Sequence, residues 1–172
     1  LTLDLKADQV ASIQTDKPSL VTALAKSQEC NDPNAPFYGI GDPFMLSYSP
    51  NQQLLKSVTF NAIQLPVVTN HYVNIIAKTA FVGQTRLDGQ NIGGQFTPFP
   101  QNSEFSYARI PISQGVHRLQ NPEGFIAYVY GFGFVESYGY AVGASLLNLN
   151  FEVEPEYSFE VVGEKVACLN YD

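Results

Sequence analysis

Apolar and polar residues alternate with a period of two along most of this chain. The segments that carry the rhythm are LTLDLKA (1–7), PSLVTALAK (18–26), LLKSVTFNAI (54–63), HYVNIIAKT (71–79) and EFSYARIPI (104–112). They continue as VHRLQ (116–120), GFIAYVYGF (124–132), SLLNLNFEV (145–153) and YSFEVVG (157–163). Such alternation places successive side chains on opposite faces of a strand. Between the segments stand NDPNAP, YSPNQ, LDGQN, SQG, NPEG and EPE, whose Gly, Pro, Asn and Asp favour turns. SLVTALAKS has some helical character, but the preceding proline and the surrounding rhythm favour a strand. No segment keeps helical spacing over the ~11 residues needed to assign a helix. Many short strands with regular turns predict an all-β fold, an antiparallel, jelly-roll-like β-sandwich. Residues 1–153 form the expected domain, and 154–172 either its last strand or the start of a following module.

The stretch GFIAYVYGFGFVESYGYAVG (124–143) departs from simple alternation, with seven aromatic residues and five glycines in twenty. In its first half Phe125, Ala127 and Val129 point one way and Ile126, Tyr128 and Tyr130 the other. A strand apolar on both faces is expected to be central and covered on both sides. Gly131 and Gly133 then allow a bulge or a close approach. Tyr138 and Tyr140, past these glycines, are expected nearer the surface. With Glu136 and Asn91 they make a candidate ligand-binding set, since sugars stack on aromatic rings and bond to amides and carboxylates.

Composition narrows the function classes. Charged residues are 15% of the 172, and the net charge is −7 with nine Lys+Arg and no basic run. A phosphate backbone needs clustered cations, so no nucleic-acid partner is expected. No apolar run approaches the ~18 residues of a membrane helix, so no membrane insertion is expected. The opening LTLDLKADQV already alternates like a strand, as in a mature or excised piece of a longer chain. Cys30 and Cys168 are too far apart for a CxxC motif. They read either as a disulfide tying the chain ends or as two unrelated thiols.

Catalytic chemistry is thinly supplied, and no enzyme is expected. The histidines are His71 and His117, at a strand start and after a turn. No GxSxG elbow accompanies them. Cys30 lies beside Glu29 and Asp32, whose charges disfavour a thiolate. YGIGDPF lacks the third glycine and the lysine of nucleotide-binding loops. Asp32, Asp42 and Asp88 could offer oxygens to calcium, but DP and DG pairs are ordinary turn formers and no DxDxDG spacing occurs. No metal or other cofactor is expected.

An ordered series of short pieces resembles the IgGFc-binding protein N-terminal domain family. The pieces are Lys17-Pro18, the GDPFM loop (41–45), HYVNII (71–76), LDG (87–89), GVHRL (115–119) and YGFGFVESYGYAVG (130–143). The resemblance covers about residues 3–149, and HYVNII and ESYGY resemble the bacterial branch. It implies an extracellular or cell-surface module of a large secreted protein, of the kind found in Bacteroidota with gliding-motility or type IX secretion modules. The role it implies is adhesion or filament assembly. Partners would be a protein or glycan on another surface, neighbouring domains of the same chain, or further copies in a fibre. It brings no matched residue set for Fc binding and no catalytic residue.

Overall fold

The computed structural model describes residues 9–27, 34 and 38–145. Cys30 and Cys168 lie outside these residues, as do the expected strands at 1–7 and 157–163 and nearly all of that at 145–153. Ten strands are present among the described residues: β1 Thr22–Leu24, β2 Met45–Ser47, β3 Leu55–Ala62, β4 Val68–Lys78 and β5 Arg86–Leu87. They continue with β6 Gln90–Asn91, β7 Thr97–Phe99, β8 Asn102–Ile112, β9 Gly115–Gly133 and β10 Glu136–Ala141. Every strand pairing is antiparallel. PSLVTALAK supplies the three-residue β1 rather than a long strand. Among the described residues the helical elements are short 3-10 turns at Thr79–Gln84 and Gly93–Gln95.

β9 organises the whole. Its first half lies between β3, with Val58 opposite Leu119, and β5, with Leu87 opposite Leu119. Its second half lies between β10, with Tyr140 opposite Val129, and β4, with Val73 opposite Val129. β8 and β7 extend the second layer beyond β4. The sequence reading put a turn at NPEG and split this strand into 116–120 and 124–132. The structure instead bends one continuous strand there and carries it from one layer of the sandwich into the other. Such corner strands commonly switch sheets through a bulge. The β3 register slips at this point, from Ser57 opposite Gln120 to Leu55 opposite Phe125.

The corner is stitched from within. Asn121 is fully buried, and its amide donates to Phe81 O at 3.1 Å and Thr85 Oγ1 at 2.8 Å. Its Oδ1 accepts Glu123 N–H at 2.8 Å. Gly124 completes the bend at φ +92°, where a Cβ would lie 2.6 Å from Leu54 Cβ. Both conditions call for glycine.

Between the layers Phe60, Leu119, Phe125, Ala127, Val129, Val73, Ile75 and Ile110 form one buried cluster. Each large apolar side chain removed from water here contributes about 1.5–3 kcal/mol. Ile126 and Tyr128 on the reverse face are also buried. The β1–β2 ribbon covers that face: Tyr48 meets Tyr128 edge-on at 4.8 Å and Phe44 meets Phe132 at 6.1 Å. Tyr128 OH also accepts Ser49 N–H at 2.8 Å. The central strand is therefore apolar on both faces because it is covered on both. The LDG piece makes the two-residue hairpin between β5 and β6, with Asp88 at φ 52° and Gly89 at φ 80°. Positive φ at both central residues defines the type I′ turn, which suits strand twist.

Candidate functional site

Tyr138 and Tyr140 face inward from β10 and serve as edge clasps. By β3 register Asn61 lies opposite Val116, and its N–H and C=O both meet Tyr140 OH, at 3.2 and 2.7 Å. One residue past β3, Ile63 N–H donates to Tyr138 OH at 3.2 Å. The outer edge of β3 is thus capped by two hydroxyls from the other layer. This stops backbone groups at a sheet edge from recruiting another strand. Tyr138 is buried at 9% exposure, contrary to the surface position expected of it, because its ring sits over Gly131 and its hydroxyl is needed at β3. Tyr140 is half-buried and stacks on Tyr138 at 6.3 Å. Burial pushes both phenols above the ordinary tyrosine value, against the lowering effect of the backbone bonds.

Glu136 is exposed at the start of β10. Asn91 is elsewhere, on β6 beside the corner, where its amide donates to Gly83 O at 2.6 Å and its Oδ1 accepts Gly93 N–H at 2.9 Å. The four residues expected to form one set therefore divide between two ends of the fold.

The two histidines have different surroundings. His117 stands between Asp88 and Ser113 in an order that looks like a catalytic triad. Nδ1 lies 2.6 Å from Asp88 Oδ2, and Nε2 lies 3.5 Å from Ser113 Oγ. Nε2, however, is closer to the Ser113 carbonyl oxygen, at 2.8 Å. A carbonyl oxygen only accepts, so it is Nε2 that donates, to Ser113 O. A general base needs a lone pair directed at the hydroxyl, and this ring offers none. Asp88 Oδ1 accepts Arg118 N–H at 2.8 Å. Burial pushes the Asp88 carboxyl up, but the His117 hydrogen bond, the Arg118 N–H and the His117 charge outweigh it and leave it below the usual aspartate value. The group ties the β5–β6 turn to β9. His71, also buried, meets Tyr138 OH through Nδ1 at 2.9 Å, and its Nε2 has no partner among the described residues.

Of the loop aspartates that could offer oxygens to calcium, Asp88 is engaged as above, Asp42 lies in an exposed clasp and Asp32 falls outside the described residues. Among the described residues no three His, Cys, Asp or Glu side chains group closely enough to hold a metal.

The reading from sequence missed the tip between β9 and β10. Glu136 pairs with Gly133, leaving Phe134 and Val135 as a two-residue loop. Phe134 is 68% exposed, and Val135 is held at φ 57°. A β-branched residue in that region is strained by about 1–3 kcal/mol and persists where its surroundings enforce it. Here Gly39 O accepts Val135 N–H at 2.9 Å, and Gly41 N–H reaches Gly133 O at 2.8 Å. Ser137 Oγ donates to Asp42 O and accepts Asp42 N–H. Ile40 bridges to Phe134. The GDP loop of the sequence is therefore the clasp that presents this tip. Tyr38, Leu65 and Val67 are exposed as well. Val67 belongs to the same end, its carbonyl lying against Gly133.

The sequence profile of the family described as IgGFc binding protein matches residues 2–131. The chain belongs to that family. No curated protein and no solved structure matches it. The IgGFc-binding match takes in β1 to β8 and β9 as far as Gly131, a shorter span than the resemblance in the sequence. The tip and β10 lie beyond it. Domains of the IgGFc-binding family occur in extracellular proteins. Among the described residues no helix is long and apolar enough to cross a membrane.

Proposed function

We propose that the chain is a non-catalytic β-sandwich module of a large secreted or cell-surface protein, serving in adhesion or structural assembly through protein contacts at the β9–β10 tip. The observation that carries this reading is the tip itself. A large aromatic residue and a strained valine are held toward solvent by four residues of a distant loop. Exposed aromatic side chains on a rigid support bury contact area at little entropic cost. The family's name refers to binding of an antibody Fc region, which makes Fc one partner to try. A place in the bacterial branch, beside other sandwich modules of a fibre, would make further copies or neighbouring modules the alternative partners.

The test uses the whole 172-residue chain and a Phe134→Asp variant. Both would be measured by light scattering over a concentration series and by binding to immobilised Fc. Self-association or Fc binding that the variant loses, with unchanged unfolding, supports the reading. Binding indifferent to the substitution sinks the tip. Turnover on a broad hydrolase panel sinks the non-catalytic role. A carbohydrate-binding role is the second reading, seated on Tyr140 and Glu136 of the expected set, since Tyr138 is buried and Asn91 lies on β6. A glycan array with Tyr140→Ala tests it, but the half-buried Tyr140 and exposed Glu136 are what favour that seat, while Asn91 is remote.

A further inference from the structure

The solvent face of the first layer carries a cationic cleft on an acidic protein. β9 alternates there between core residues, His117 and Leu119, and outward ones, Val116, Arg118 and Gln120. Register places Arg86 of β5 and Ser57 of β3 on either side of Gln120, all three facing out. The next row is Arg118 beside Thr59. Where this face meets the corner there is an open cleft of about 490 Å³ lined by Lys56, Gln84, Arg86 and Gln120, with Asn121 and Pro122 at the bend. That volume falls within the ~300–1,000 Å³ of small-molecule sites.

Its charges are disposed for a ligand. Lys56 makes no ion pair among the described residues. Arg86 spends Nη1 on Gly89 O at 3.1 Å, and its other N–H groups keep their capacity. The nearby carboxylate of Asp88 is already bound to His117 and Arg118 N–H. The other walls are amides: Gln84 and Gln120 can both donate and accept. Asn121 cannot serve, because its amide is committed to the corner. The Asn121 hydrogen bonds fix the bend beside the cleft before anything binds.

We propose that this cleft binds an acidic saccharide, with Lys56 and Arg86 holding a carboxylate or sulfate and Gln84 and Gln120 bonding ring hydroxyls. A guanidinium meets either anion with two parallel hydrogen bonds. The two amides offer partners for ring hydroxyls, which a bare inorganic anion could not use. The inference rests on reading the chain as a binding module, but it concerns a surface separate from the tip.

The test is calorimetric titration of the full chain with a uronic-acid oligosaccharide and a sulfated oligosaccharide, at low and at physiological salt. A neutral oligosaccharide, inorganic sulfate and a poly-glutamate peptide are the controls. Expected is saturable binding of at least one acidic saccharide, weakened by salt, and weakened about ten-fold or more by Arg86→Gln or Lys56→Gln, as lost charge-assisted bonds imply. Lys56→Arg should retain it, and Lys17→Gln, on a remote exposed segment, should leave it unchanged. The two acidic saccharides distinguish carboxylate from sulfate. Equal binding of poly-glutamate or sulfate alone, equal loss with Lys17→Gln, or no binding by either acidic saccharide overturns the proposal. The Phe134→Asp variant should bind the saccharide normally, so failure at the cleft and failure at the tip are read separately.

Discussion

The two halves of β9 share a strand and have opposite surroundings. From Gly115 to Gln120 one face packs into the core and the other meets water, so Val116 and Arg118 are exposed while His117 and Leu119 are buried. From Phe125 to Val129 both faces are covered, by the first layer on one side and the β1–β2 ribbon on the other, and every residue is buried. The same backbone therefore reads as alternating VHRLQ in one place and as unbroken FIAYV in the other. A strand's pattern reports how many layers cover it, and here the pattern changes at the corner where the strand changes layers.

The largest test of this contrast is a pair of truncations. Phe125→Ala should destabilise by about 3–5 kcal/mol, as expected for a buried aromatic residue, whereas Val116→Ala should change stability by less than about 0.5 kcal/mol. Urea unfolding midpoints with an unchanged slope would show it, and equal effects would erase the distinction. Next, Asn121→Ala should cost about 1–3 kcal/mol, because Phe81 O, Thr85 Oγ1 and Glu123 N–H lose their partner at the point joining the halves. Hydrogen exchange should quicken first around Glu123.

A smaller effect, about 0.5–1.5 kcal/mol, is expected for Tyr140→Phe, with faster exchange of the Asn61 amide. Unchanged Asn61 protection would show that the hydroxyl does not close the β3 edge. The smallest effects are those of pH. Burial raises the pKa of Tyr48, Tyr128, Tyr130, Tyr138 and Tyr140 in the folded chain. The unfolded chain releases these protons first, so stability should be intact below about pH 10 and fall as pH rises above it. Asp88 works in the opposite sense: its depressed folded pKa adds stability above about pH 4 that is lost on further acidification, and Asp88→Asn should soften that acid limb slightly.

Much of the frame is legible in the sequence. HYVNIIAKT falls on β4 up to Lys78 and EFSYARIPI sits within β8, and LDG sits at a turn whose backbone requires such residues. FIAYV is central and doubly covered, as its unbroken apolar character predicts. The corner was not legible, because NPEG has turn chemistry and only the buried amide of Asn121 reveals that the strand continues. The roles of Tyr138 and Tyr140 were hidden for a different reason. Their hydroxyl partners are 75 and 79 residues away, and no local pattern encodes contacts at that separation. The tip was concealed by its own composition, since GFGFVES merges a loop into two strands.

β9 also sets the order in which this polypeptide can mature. A nascent chain ending at Ile112 already contains β3, β4, β5 and β8, yet β3 lacks its one strand neighbour among the described residues and β4 lacks one of its two. Until residues 115–133 emerge, the pairings open to it are β1–β2, β5–β6 and the three-stranded β4–β8–β7 sheet, and none of these closes the sandwich. Synthesis from the N-terminus thus defers commitment to a closed body to the arrival of one late strand.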